Sequence, residues 1–85
     1  MSATMQRMED RGVVKIDGAK MRRLRQERYL SIRDLAKLAG VANYTVASAE
    51  IGKRPGGVRL RTIRKLAKAL NVHPRELEAR EDDEL

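Results

Sequence analysis

The chain has 85 residues, enough for one compact domain and too few to enclose a large substrate pocket. Lys and Arg number 19 against 12 Asp and Glu, a formal net charge of +7 that points to a polyanionic partner. With no cysteine and a single histidine, His73, the sequence excludes a disulfide framework, a thiolate nucleophile and a Cys/His metal cluster.

Residues 1–12, MSATMQRMEDRG, show no sustained period and read as a flexible arm. Val13, Val14 and Ile16 then form a β-branched patch. It suits either a strand that pairs with a partner chain or a stretch of arm lying on the body, and we adopt the arm, over residues 1–17. Asp17 can cap a first helix over Gly18 to Arg28, with Met21, Leu24, Arg25 and Arg28 at helical spacing. Ser31, with Asp34 three residues on, forms an acidic capping box for a second helix whose face is Ile32, Leu35, Ala36 and Ala39. Gly40 ends it, because glycine enters the left-handed region at a helix C-terminus without a Cβ penalty.

A short third helix runs from Asn43 to Ile51, with Val46, Ala49 and Glu50 on one side and Asn43, Tyr44, Ala47 and Ser48 on or near the other; Gly52 closes it. Lys53 to Gly57 is a basic, breaker-rich loop. Leu60, Ile63, Leu66, Ala67 and Leu70 mark a fourth helix from Leu60 to Leu70, stopped by Asn71. Pro74 suits the first turn of a fifth helix containing Leu77. His73, before Pro74, reads as a cap or a solvated side chain rather than a catalytic one. The reading is therefore all-α, a compact five-helix bundle over residues 18–80, followed by an acidic tail at 81–85.

Charge follows the same division: residues 1–75 carry 18 basic and 6 acidic side chains, whereas residues 76–85 carry Arg80 against six carboxylates. The longest apolar-or-glycine run, Leu38 to Ala42, is far short of the roughly 20 residues of a membrane span, and the N-terminus lacks the order of a signal peptide. A cytoplasmic location, with no membrane contact, is the expectation. Tyr29 and Tyr44 are the only aromatic residues, too few for a base-stacking platform, so duplex rather than single-stranded nucleic acid is the better fit.

Residues Ile32 to Ile51 follow a helix-turn-helix order: apolar Leu35, small Ala36, turn Gly40, then apolar Val41 and Val46. Ala36 lets two helices approach, Gly40 permits the turn, and the valines seal the joint, leaving the second helix protruding. The stretch MRRLRQERYLSIRDLAKLAGVANYTVASAEIGKR, followed by LRTIRKLAKALNVHPREL, resembles the Cro and phage-repressor type of helix-turn-helix domain, also called the xenobiotic-response-element type. The resemblance covers about residues 18 to 77. It rests on LAKLAGV at the turn, Glu50 and Gly52 closing the third helix, the GKR run and RKLAKALNV together.

That resemblance implies a lambda-repressor-like fold and a cytoplasmic transcriptional regulator of bacterial or phage type, most simply a repressor. It implies a homodimer, no cofactor, and a third helix lying in the major groove of double-stranded DNA. By position, Asn43, Tyr44 and Ser48 would read bases, Asn43 through the two-point bond an amide makes to adenine. Arg33, Thr45, Lys53, Arg54 and Arg59 would contact phosphate. The family's usual Gln at the start of the second helix is here Ile32, which leaves that anchor to Arg33 or to backbone N–H groups. Ala49 stands where the family carries a larger Ile or Leu, so Val46, Leu66 or a shifted neighbour must fill the core. Arg25 and Glu50 fall on the inward sides of their helices and match a buried ion pair of the family; the alternative is that both snorkel to solvent.

Two other readings compete with a repressor. The same fold serves as the antitoxin of a toxin pair, with the arm or tail binding the toxin. Alternatively, the fourth helix and the acidic tail make a protein-interaction module with vestigial DNA binding. An enzyme is disfavoured, since no nucleophile-and-base pair, metal cluster or phosphate loop is present.

Overall fold

Each helix begins where the sequence supplies a boundary. In this computed structural model, which describes residues 12–52 and 57–79, α1 (Gly18–Glu27) starts at Asp17, whose carboxylate accepts the Lys20 N–H at 3.1 Å. The α2 helix (Ile32–Ala39) starts with a complete capping box: Ser31 Oγ accepts the Asp34 N–H at 2.9 Å, and Asp34 Oδ2 accepts the Ser31 N–H at 3.1 Å. Gly40 ends α2 at φ 73°, and the chain turns through three residues, Gly40 to Ala42, into α3 (Asn43–Glu50). The α4 helix (Leu60–Leu70) stops at Asn71, whose φ of 61° is the left-handed conformation that asparagine tolerates.

The fifth element is a correction to the sequence reading: Pro74–Leu77 is a single 3-10 turn, not an α-helix. His73 caps it, with Nδ1 accepting the Arg75 N–H at 3.0 Å. The turn cannot lengthen because the chain is drawn off at once into extended pairing, where Glu78 bridges Ile16 and the Ala79 N–H donates to the Lys15 carbonyl at 2.9 Å.

A second correction concerns the segment read as arm. Val13–Val14 is a strand, β1, pairing antiparallel with β2 (Val58–Arg59), Val13 opposite Arg59 and Val14 opposite Val58. The Leu60 N–H donates to the Gly12 carbonyl and the Asp17 N–H to the Leu77 carbonyl, so residues 12–17 are stitched to both ends of the C-terminal half. The pairing also has an apolar side, since Val58 is buried and Val14 and Ile16 pack against the core. Residues 1–11 of the expected arm and the tail at 81–85 lie outside the described residues.

The core gathers one side of each helix: Met21 from α1, Leu35 from α2, Val46 from α3, Ile63, Leu66 and Leu70 from α4, and Leu77 from the final turn, all fully buried. Each such side chain contributes roughly 1.5 to 3 kcal/mol of transfer free energy. Ala49 is itself fully buried in that core, beside Val46 and Leu66, which are fully buried too. A Cβ on Gly18 would collide with the carbonyl oxygens of Ala49 and Glu50, so the start of α1 lies directly against the end of α3.

Candidate nucleic-acid interface

The α2–α3 joint is built as the spacing of small and apolar residues requires. Ala36 is buried between the helices, Val41 is half-buried at the turn, and Val46 anchors α3 from below. The Gly40 and Val41 N–H groups both donate to the Ala36 carbonyl, at 2.8 and 3.0 Å, which fixes the turn.

The far end of α3 is held from the scaffold. Arg25 Nε donates to Glu50 Oε2 at 2.6 Å and Nη2 to Glu50 Oε1 at 3.0 Å, a two-point pair with side chains only 11% and 4% exposed. The third nitrogen, Nη1, donates to the Leu30 carbonyl at 2.8 Å. One guanidinium therefore ties together α1, the loop before α2, and the last residue of α3. Hydrogen bonding to Glu50, opposed by partial desolvation, raises the Arg25 pKa further and keeps the guanidinium charged.

The near end of α3 is open. Its N-cap, Ala42, supplies no side-chain bond to the first turn, and no acidic residue lies in that turn. Asn43 and Tyr44 are exposed there, Tyr44 at 71%. This is the arrangement that lets an amide and a phenol reach the edges of base pairs.

Ser48 does not join them. It is 3% exposed, and its hydroxyl donates back to the Thr45 carbonyl at 3.3 Å, so its expected place among the base readers is corrected. Ser48 sits one step of about 100° from buried Ala49 on the helix, and its short side chain is taken into the packed side. Thr45 is half-buried.

Among the cations expected at phosphate, Arg33 is exposed at the start of α2 and Arg59 is exposed at the N-cap of α4. Arg61, in the first turn of α4, is exposed as well, and no acidic residue lies in that turn to offset the helix dipole. Lys53 and Arg54 lie outside the described residues. At the start of α2 the capping box engages the N–H groups of Ser31 and Asp34. Asp34 is held below the usual carboxylate range chiefly by the Ser31 backbone N–H, then by the Ser31 hydroxyl.

Two residues escaped the sequence reading. In the sequence Gly18 marks only the first helical residue, although its missing side chain sets the distance between α1 and α3. Tyr29 is legible only as one of two aromatics, yet it adopts φ 56° and is 94% exposed. Neither feature has a periodic signal; a breaker residue at a helix start was the one available hint for Gly18.

Comparison with known proteins places this geometry. A curated relative, the HTH-type transcriptional repressor RghR of Bacillus subtilis, is 42% identical over 55 residues, covering 65% of this chain; the chain spans 40% of that protein's length. Among solved structures, the restriction-modification controller protein C.AhdI from Aeromonas hydrophila aligns with a TM-score of 0.65 and 42% identity, over 69% of this chain and 86% of that one. The biofilm master regulator SinR, solved in complex with DNA, aligns with a TM-score of 0.64 and 26% identity, over 68% and 90% of the two chains. No helix among the described residues is long and apolar enough to cross a membrane. The helix-turn-helix family model matches residues 21–77, the span from the core methionine of α1 to the last turn, and the chain belongs to that family, in its Cro and phage-repressor type.

Proposed function

We propose that this protein is a sequence-specific, duplex-DNA-binding transcriptional regulator acting as a repressor, with α3 in the major groove. The observation that carries this is the asymmetry of α3: Glu50 is locked to the scaffold while Asn43 and Tyr44 stand exposed at the other end. Asn43 and Tyr44 read bases; Arg33, Thr45, Lys53, Arg54 and Arg59 hold phosphate. Support comes from RghR, named as a transcriptional repressor, and from SinR, solved with DNA. Two copies acting as a homodimer would read half-sites about one helical turn, roughly 34 Å, apart.

The test is binding to duplex DNA across a salt series, followed by in vitro selection of bound sequences. If about four to six cations per protomer neutralise phosphates, log affinity falls with log salt at about −0.9 per phosphate. Selection should return a palindromic consensus. A nearly flat salt slope, or no consensus at all, would overturn the proposal.

A further inference from the structure

Tyr29 carries two features that the fold does not repay. Its backbone lies in the left-handed region, at φ 56°, where glycine is at ease and a residue with a Cβ is not. The residue is 94% exposed, so packing among the described residues does little to offset that strain. The turn itself needs the conformation: the Tyr29 N–H donates to the Gln26 carbonyl at 3.0 Å and the Leu30 N–H to the Arg25 carbonyl at 3.1 Å, which closes α1 and leads into Ser31. Glycine or asparagine would close it at lower cost. The conformation therefore belongs to the fold, while the choice of tyrosine does not, and strain at an exposed position points to a contact outside the chain.

The setting narrows what that contact is. Tyr29 stands on a rigid base, because the Leu30 carbonyl next to it accepts from Arg25, whose other nitrogens hold Glu50 of α3. Its neighbours in the chain include exposed Arg28 and Arg33. Of the two nearby carboxylates, Asp34 is occupied by the Ser31 N–H, and Glu27 lies 3.9 Å from Arg28. In a helix-turn-helix the first helix of the pair crosses the DNA backbone, and Tyr29 lies two residues ahead of the cap of that helix. Tyrosine hydroxyls are among the groups that bond phosphate oxygens, a contact that fixes register without reading sequence.

We propose that Tyr29 is a DNA-backbone contact, its phenol donating a hydrogen bond to a phosphate oxygen beside the start of α2. This rests on the duplex-DNA reading above. Through Leu30, Arg25 and Glu50, the contact sets α3 in the groove at a fixed angle.

Two variants test it, each measured for melting temperature and for affinity to the selected duplex and to a scrambled one. Tyr29→Phe keeps the ring and the turn but removes the donor; it should leave melting unchanged and weaken both duplexes about tenfold, the scale of one bond to a charged group. Tyr29→Gly relieves the left-handed strain, so it should raise the melting temperature while weakening both duplexes at least as much. Wild-type affinity in both variants overturns the assignment, as does a loss confined to the selected duplex or a loss of self-association with intact DNA affinity. Asn43→Ala runs alongside: if the wild type binds duplex and Asn43→Ala relaxes its selectivity while both Tyr29 variants bind normally, the Tyr29 contact alone fails. If the wild type binds no duplex, the contact falls with the reading beneath it.

Discussion

The two ends of α3 have opposite surroundings. At its C-terminal end Glu50 is 4% exposed and bonded twice to Arg25, and the backbone of Gly18 lies against the last carbonyls. At its N-terminal end Ala42 gives no cap and Asn43 and Tyr44 stand exposed. A helix of eight residues has little stability of its own, so its direction must come from tertiary contacts. Fixing one end by a directional ion pair and leaving the other exposed separates the residues that aim the helix from those that would read with it. Substitutions at one end should therefore change stability, and at the other selectivity.

The largest effect is expected at the held end. Glu50→Ala leaves the buried Arg25 charge unpaired and should cost roughly 3 to 5 kcal/mol, read as a fall in melting temperature, with DNA affinity falling alongside. Replacing both, Arg25→Met with Glu50→Leu, removes the charges together and should restore much of the stability. An unchanged melting temperature in Glu50→Ala would show that the pair does not hold the helix.

Gly18→Ala probes the same end through backbone instead of charge. The added methyl meets the carbonyls of Ala49 and Glu50, and main chain cannot swing aside as a side chain can. A cost of about 1 to 3 kcal/mol in denaturant unfolding is expected, larger than for an alanine placed at an open helix start.

The open end should behave differently. Asn43→Ala is expected to leave melting unchanged and to reduce discrimination at one base position by about 1 to 3 kcal/mol, measured as affinity for single-base operator variants. Lys53→Ala should instead weaken all duplexes alike. Identical profiles for the two would erase the distinction between reading and anchoring.

The smallest effect lies at the start of α2. Because the folded Asp34 pKa is lowered, its contribution to stability is present above the ordinary aspartate value near about 4 and is lost as pH falls through the lower folded value. Acid unfolding of Asp34→Asn should therefore show a shallower fall in that window. Ser31→Ala, which removes the cap itself, should cost about 1 kcal/mol at neutral pH.

Much of this was legible in the sequence because its signals are local. Ser31 with Asp34, Gly40 between two apolar stripes, and Asn71 after Leu70 each act within a few residues, and each stands where the structure places a helix boundary. The Val13–Val14 strand was not legible: two residues carry no period, and its partner at Val58–Arg59 lies some 45 positions away. The burial of Ser48 was not legible for a related reason. Rotation around a short helix locates the edge of its buried side only to within a residue, and the neighbouring elements decide which side chain falls inside.

The sequence by itself determined α1 to α4, their stops, the helix-turn-helix joint and the basic character of the body, since propensity, capping and charge are properties of residues and their near neighbours. Only the tertiary structure decided that residues 12–17 belong to the body, that Gly18 sets the seat of α3, and that Ser48 turns inward. It also decided that Tyr29 stands exposed on a left-handed turn. Each of these depends on which distant segments meet, and a contact between segments far apart in the chain leaves no periodic trace in either one.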